Sequence, residues 1–138
     1  MKKLNLFLAL TVVFTLFSCG NDDDGTVNTS DLIGKWGLIS RVQQGSEASL
    51  DNCEKSDNIE FKSDGTYKEE IYAPSAGQCV SDGVYSGTWS ESSNTLTLKY
   101  TDEGDSITDV AKFLIVDNKL TITYNDEDYI LILTYEKK

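Results

Sequence analysis

The side chains able to do chemistry in this sequence are mostly carboxylates. The chain carries 23 Asp and Glu against 12 Lys and Arg, with three Cys and no His. The missing His removes the commonest general base and the commonest zinc ligand. No hydroxyl or thiol stands at a spacing that pairs a nucleophile with a base, and no Gly-rich loop is built to cradle phosphate. Acidic runs at 102–105 and at Asp126-Glu127-Asp128 offer oxygens to a hard cation, but neither has the EF-hand spacing. A net charge of −11 argues against nucleic acid, because phosphate binding needs clustered Lys and Arg. These residues suit electrostatic recognition better than catalysis. The expectation is a non-enzyme with no cofactor and no metal.

The elements that position them begin with an address. Met1-Lys2-Lys3 opens a basic start, followed by an apolar run over 4–17 that is too short to span a bilayer, which takes ~20 residues. It reads as a secretory signal over residues 1–18. Leu16-Phe17-Ser18-Cys19-Gly20 resembles a bacterial lipobox. That resemblance implies cleavage before Cys19 and acylation of its thiol, giving a membrane contact through lipid alone. Residues 19–30 are polar and acidic and read as a flexible tether. The acidic cluster at 22–24 also resembles the surface-export signal of some Gram-negative lipoproteins. An outer-membrane lipoprotein is therefore expected, either surface-exposed or periplasm-facing. Outside the inner membrane the two remaining cysteines, Cys53 and Cys79, are expected to pair as a disulfide.

Residues 31–138 have the length of one folded domain, and the full chain is 39% hydrophobic, too rich for a disordered sequence. Their pattern has period two. Eight strands are predicted, at 35–42, 58–62, 66–72, 84–90, 95–100, 108–116, 119–124 and 129–136, after a short helical turn at 30–33. Leu96, Leu98 and Tyr100 alternate with Thr and Lys, as do Leu120, Ile122 and Tyr124, so each strand has one buried and one wet face. The last strand is apolar on both faces at 130–133, and the helical turn is the candidate cover. Ser63-Asp64-Gly65, Ser92-Ser93-Asn94 and Asp117-Asn118 read as tight hairpin turns. The connections at 43–57, 73–83, 101–107 and 125–128 read as longer loops. In an up-and-down meander these two kinds fall at opposite ends, as a closed floor and an open rim. Cys53 and Cys79 then share the rim, and the tether joins at the floor.

Gly34-Lys35-Trp36 matches the Gly-x-Trp signature of lipocalins. With Phe61-Lys62-Ser63-Asp64-Gly65-Thr66-Tyr67, Tyr85-Ser86-Gly87-Thr88-Trp89 and Leu96-Thr97-Leu98, the sequence resembles the lipocalin-like domains of bacterial lipoproteins over roughly 31–136. The resemblance implies an all-β fold, an eight-stranded antiparallel up-and-down barrel. It also implies a Trp36 packed across the floor beneath a basic residue of the last strand. No Arg stands there; Lys137 or Lys138 is the available substitute. Members of the family typically bind small hydrophobic molecules inside the barrel and are seldom enzymes.

The candidate pocket residues are Phe61, Tyr67, Tyr85, Trp89, Leu98, Tyr100, Phe113 and Tyr124, drawn from the apolar strand faces. The same residues can equally fill a solid core. Glu69 shares a face with Tyr67 and Ile71, and the expectation is that it turns to solvent. The rim connections hold eleven acids and one base, Lys55, which disfavours an anionic ligand. The sequence thus points to a monomeric binding protein for a small hydrophobic or neutral molecule. The alternative is a solid barrel whose acidic end contacts another macromolecule.

Overall fold

The computed structural model describes residues 29–138, and side chains from Asp31 onward. The signal segment, Cys19 and the acidic tether lie outside the described residues. A single helical turn, α1 (Thr29–Leu32), leads into β1 (Gly34–Gln43) and a short β2 (Ser46–Ala48). After a 3-10 turn at Glu54–Ser56 come β3 (Asn58–Phe61), β4 (Thr66–Ser75), β5 (Gln78–Ser92) and β6 (Thr95–Asp102). Then follow β7 (Asp105–Val116), β8 (Lys119–Asp126) and β9 (Tyr129–Lys137). All neighbouring strands pair antiparallel, and β1 pairs with β9 to close the ring. The eight predicted strands are β1 and β3–β9; β2 is an addition that hairpins onto the far end of β1, Arg41 facing Ala48.

Closure removes the sheet edges that an open meander would expose. The interior fills with one face of each strand: Trp36 and Leu38, Ile59 and Phe61, Tyr67, Trp89, Leu96 and Leu98, Ala111 and Phe113, Leu120 and Ile122, and Tyr135. Leu32 joins them fully buried, and its carbonyl accepts the Trp36 indole N–H at 2.8 Å. The helical turn therefore plugs the floor and does not cover the outer side of β9. Ile130 on that side stays 41% exposed.

The floor turns are as predicted. Ser93-Asn94 and Asp117-Asn118 have positive φ at both central residues, the geometry that Asn and Asp tolerate in two-residue hairpins. Asp64 accepts the Thr66 N–H at 2.9 Å and the Thr66 hydroxyl at 2.6 Å, fixing the third turn. The rim differs from expectation. Residues 73–83, 101–107 and 125–128 are not loops but the zipped ends of hairpins, with Ser75 opposite Gln78, Asp102 opposite Asp105 and Asp126 opposite Tyr129. Ala76-Gly77 and Glu103-Gly104 make the first two turns, again at positive φ. Only 43–57 is a true excursion, and it carries β2 and the 3-10 turn. Cys53 and Cys79 are joined there as a disulfide, with Cα atoms 5.1 Å apart.

Candidate functional site

The lower half of the barrel is solid. Phe61 meets Trp89 edge-on at 5.3 Å between centroids and Tyr67 at 6.4 Å. The Trp89 N–H donates to the Lys62 carbonyl at 3.0 Å. Toward the disulfide end the packing opens into a cavity of about 360 Å³. Leu38, Ile71, Leu131, Leu133 and Tyr135 form its apolar wall, and Ala73 and Pro74 flank it. Its polar lining is Arg41 and Tyr72 with five carboxylates: Asp51, Glu54, Asp57, Glu69 and Asp82.

Two bulges aim this lining. On β1 the register with β9 slips between Leu38 and Ser40. The extra residue, Ile39, is pushed outward, so Arg41 takes the inward phase that plain alternation would have given Ser40. On β5 the slip opposite Ile71/Tyr72 leaves Asp82 without a partner position, and it turns to the cavity mouth. The disulfide joins the wall at the same level, tying the segment with Asp51 and Glu54 to the hairpin with Pro74.

Most of these polar groups are already engaged. The Arg41 guanidinium pairs with Glu54 at 2.6 Å, while its Nε is buried with no hydrogen-bond partner among the described residues. Asp51 accepts the backbone N–H of Cys53 at 2.7 Å and of Glu54 at 2.8 Å. Asp57 accepts the Tyr72 N–H at 2.7 Å; burial nonetheless lifts its carboxyl above the usual range. Asp82 is exposed.

Glu69 is not engaged. It faces inward, against the expectation that it turns to solvent, because β4 keeps strict alternation from Tyr67 through Ile71. No donor or cation among the described residues meets its carboxylate. Burial, reinforced by the charges of Asp57 and Asp109, pushes its pKa up to about 7. Four phenols share this interior field. Burial raises Tyr67, Tyr124 and Tyr135, and Tyr100 rises to about 12, its hydroxyl donating to Asp109 at 3.1 Å.

Comparison with known proteins fits this architecture. A family model described as a lipocalin-like domain matches residues 32–122. The chain belongs to the lipocalin-like domain family. The match stops short of β9, the strand that closes the barrel. Among solved structures, an uncharacterized protein from Bacteroides eggerthii aligns with a TM-score of 0.55 at 14% identity, covering 78% of this chain and 99% of that one. A point mutant of the fluorescent protein UnaG aligns at a TM-score of 0.40 and 14% identity, covering 79% and 97%. No curated protein matches.

The lipocalin-like signature has a physical basis in this chain. Gly34 lies at φ +128°, and the Lys137 side chain lies 3.2 Å from where a Cβ would stand. Lys137 is also the basic residue over Trp36, filling the place where an Arg was missing. Of the eight candidate pocket residues, none lines the cavity. Phe61, Tyr67, Trp89, Leu98 and Phe113 are buried in the packed core. Tyr85 stacks edge-on with Tyr100 at 5.8 Å, and Tyr124 packs against the core margin. Sequence reasoning had placed Asp57 among the rim acids but missed Leu38, Arg41, Leu131, Leu133 and Tyr135. The double apolar face of 130–133 was the available signal for two of them. Among the described residues no group of acids or cysteines converges to hold a metal.

Proposed function

We propose that this lipocalin-like domain is a lipid-anchored, non-enzymatic binding protein that holds a small, low-polarity, non-anionic molecule. The cavity at the disulfide end carries this reading. Its volume of about 360 Å³ falls in the range of small-molecule sites, ~300–1,000 Å³. Its apolar wall of Leu38, Ile71, Leu131 and Leu133 faces convergent charged groups, and such groups are what fix a ligand's orientation. Five carboxylates against one Arg make it a poor host for an anion.

The anchor follows from Cys19 in its lipobox-like setting. Helix α1 enters at the floor, beside Trp36, while Arg41 and Leu131 lie at the opposite end. A protein tethered through its N-terminus in the outer membrane would then point its mouth away from the bilayer. The decisive experiment is native mass spectrometry of the purified protein. A bound small molecule that is lost on denaturation supports the reading. A protein that carries nothing and takes up nothing from an extract of low-polarity compounds overturns it.

A further inference from the structure

We infer that Glu69 is the specificity-determining group of this cavity and that the ligand is a lipophilic amine. It binds as its ammonium ion, with the charged head on the Glu69 carboxylate and the hydrocarbon body against Leu38, Ile71, Leu131, Leu133 and Tyr135. This rests on the small-molecule reading of the cavity and names the class of molecule.

The polar lining decides the class by elimination. Arg41 is held by Glu54 and keeps only its Nε unpaired, Asp51 and Asp57 accept backbone N–H groups of their own end, and Asp82 stands exposed at the mouth. Glu69 stands deeper, on the strand face between Tyr67 and Ile71, opposite Ile59 on β3 and Tyr85 on β5. It has apolar neighbours on the wall and no donor of its own among the described residues. A carboxylate drawn partly out of water without a partner is costly, so the ligand group that fits it is a donor or a cation. A carboxylate-bearing ligand would meet five like charges. A neutral apolar ligand would cover Glu69 and leave its cost in place. An amine supplies the missing partner, and its two or three N–H groups match the carboxylate lone pairs.

The field around Glu69 favours the same sign. Asp57 and Asp109 act on it as negative charges, and the phenols of Tyr67, Tyr100, Tyr124 and Tyr135 remain protonated and neutral. Arg41 is the one cation in the lining, and its charge is met by Glu54. Near neutral pH part of the protein carries a protonated Glu69. When the ammonium ion binds, that proton leaves to solvent and the N⁺–H···O⁻ contact takes its place. No bond to carbon is made or broken.

The test uses the full chain and three probes of one shape: phenethylammonium, phenethyl alcohol and phenylacetate. Binding is read by titration calorimetry at about pH 8 and about pH 5.5. The expected order at pH 8 is ammonium over alcohol by ~10-fold, with phenylacetate weakest. Lowering the pH should weaken the ammonium ~10-fold as protons compete for Glu69, and leave the alcohol unchanged. Glu69→Gln should abolish the preference for ammonium while still binding the alcohol, which shows the cavity intact. Equal binding of ammonium and alcohol, or an ammonium preference that survives Glu69→Gln, overturns this inference and leaves the small-molecule reading standing. If none of the three binds, both fail.

Discussion

Lys137 holds its ammonium 5.0 Å from the centroid of the Trp36 ring, whose own N–H reaches the Leu32 carbonyl at 2.8 Å. The first and last strands are thus stapled at the floor, where Trp36 and Lys137 stand opposite each other in register. Lys137 also donates to the Asp31 carbonyl at 3.2 Å, so one side chain ties β9 to both α1 and β1. Lys137→Met should cost ~1 kcal/mol, the worth of a partly desolvated cation–π contact, while Lys137→Arg should cost nothing or gain. Trp36→Phe should cost ~2 kcal/mol, since it empties volume in a closed core and orphans the Leu32 carbonyl. Urea midpoints of the three variants would check this. Equal stability of Lys137→Met and the parent would show that Trp36 needs no cation above it.

The disulfide spans 26 residues and ties the 3-10 segment to the tip of the β4–β5 hairpin. By chain entropy a loop of that size is worth ~3 kcal/mol. Removing it by Cys53→Ser with Cys79→Ser should lower the unfolding free energy by about that amount, read from denaturant curves. The damage should centre on the cavity wall, because Asp51, Glu54 and Pro74 lie beside the bridge. Hydrogen exchange in the variant should therefore rise at 43–57 and at 73–83 and stay slow at the floor turns. Uniform acceleration across the barrel would contradict a local brace.

Gly87 serves close approach. A Cβ there would run into the Lys99 carbonyl of the neighbouring strand, which is backbone and cannot swing aside. The second Gly-x-Trp, ending in Trp89, is thus a packing requirement between β5 and β6. Gly87→Ala should destabilise by ~1–3 kcal/mol, as overpacking does. Thermal melting compared with an exposed Gly→Ala control would measure it.

Acylation at Cys19 predicts that a labelled fatty acid is incorporated into the wild-type protein and not into Cys19→Ser. The variant should also move from the membrane fraction to the aqueous one. Label retained by Cys19→Ser would refute the anchor, and would leave the barrel argument untouched.

The sequence announced the barrel where strands had one wet face. Leu96, Leu98, Leu120 and Ile122 alternate with Thr and Lys, and all four are buried as that pattern demands. It hid the hairpin tips, because residues there such as Val80 face solvent and leave no buried face to mark a strand. The cavity was harder still. Arg41 faces inward only because Ile39 bulges, and a bulge has no hydrophobic period to betray it. Glu69 was legible in phase but not in outcome. Alternation put it with Tyr67 and Ile71, and the general rarity of buried carboxylates argued it outward. The strand kept its phase and accepted the charge.

That acceptance has a cost that can be measured. Glu69 titrates near 7 when folded and near 4.5 when unfolded. Below about 4.5 both states hold the proton and the site costs nothing. Between the two values the folded protein holds a proton that the unfolded chain releases, so stability falls as pH rises across this window. Above about 7 both are ionised and the full penalty persists. With allowance for the water that reaches the carboxylate through the mouth, it is ~2 kcal/mol. Glu69→Gln stays neutral and removes it. The variant should match the parent near pH 4 and exceed it by ~2 kcal/mol near pH 8. The slopes from Asp57, Asp64 and Glu70 stay common to both proteins. Paired urea titrations from pH 4 to 9 would show the two curves diverging. Parallel curves would mean that Glu69 is already satisfied, and that the cavity asks nothing of its ligand at that point.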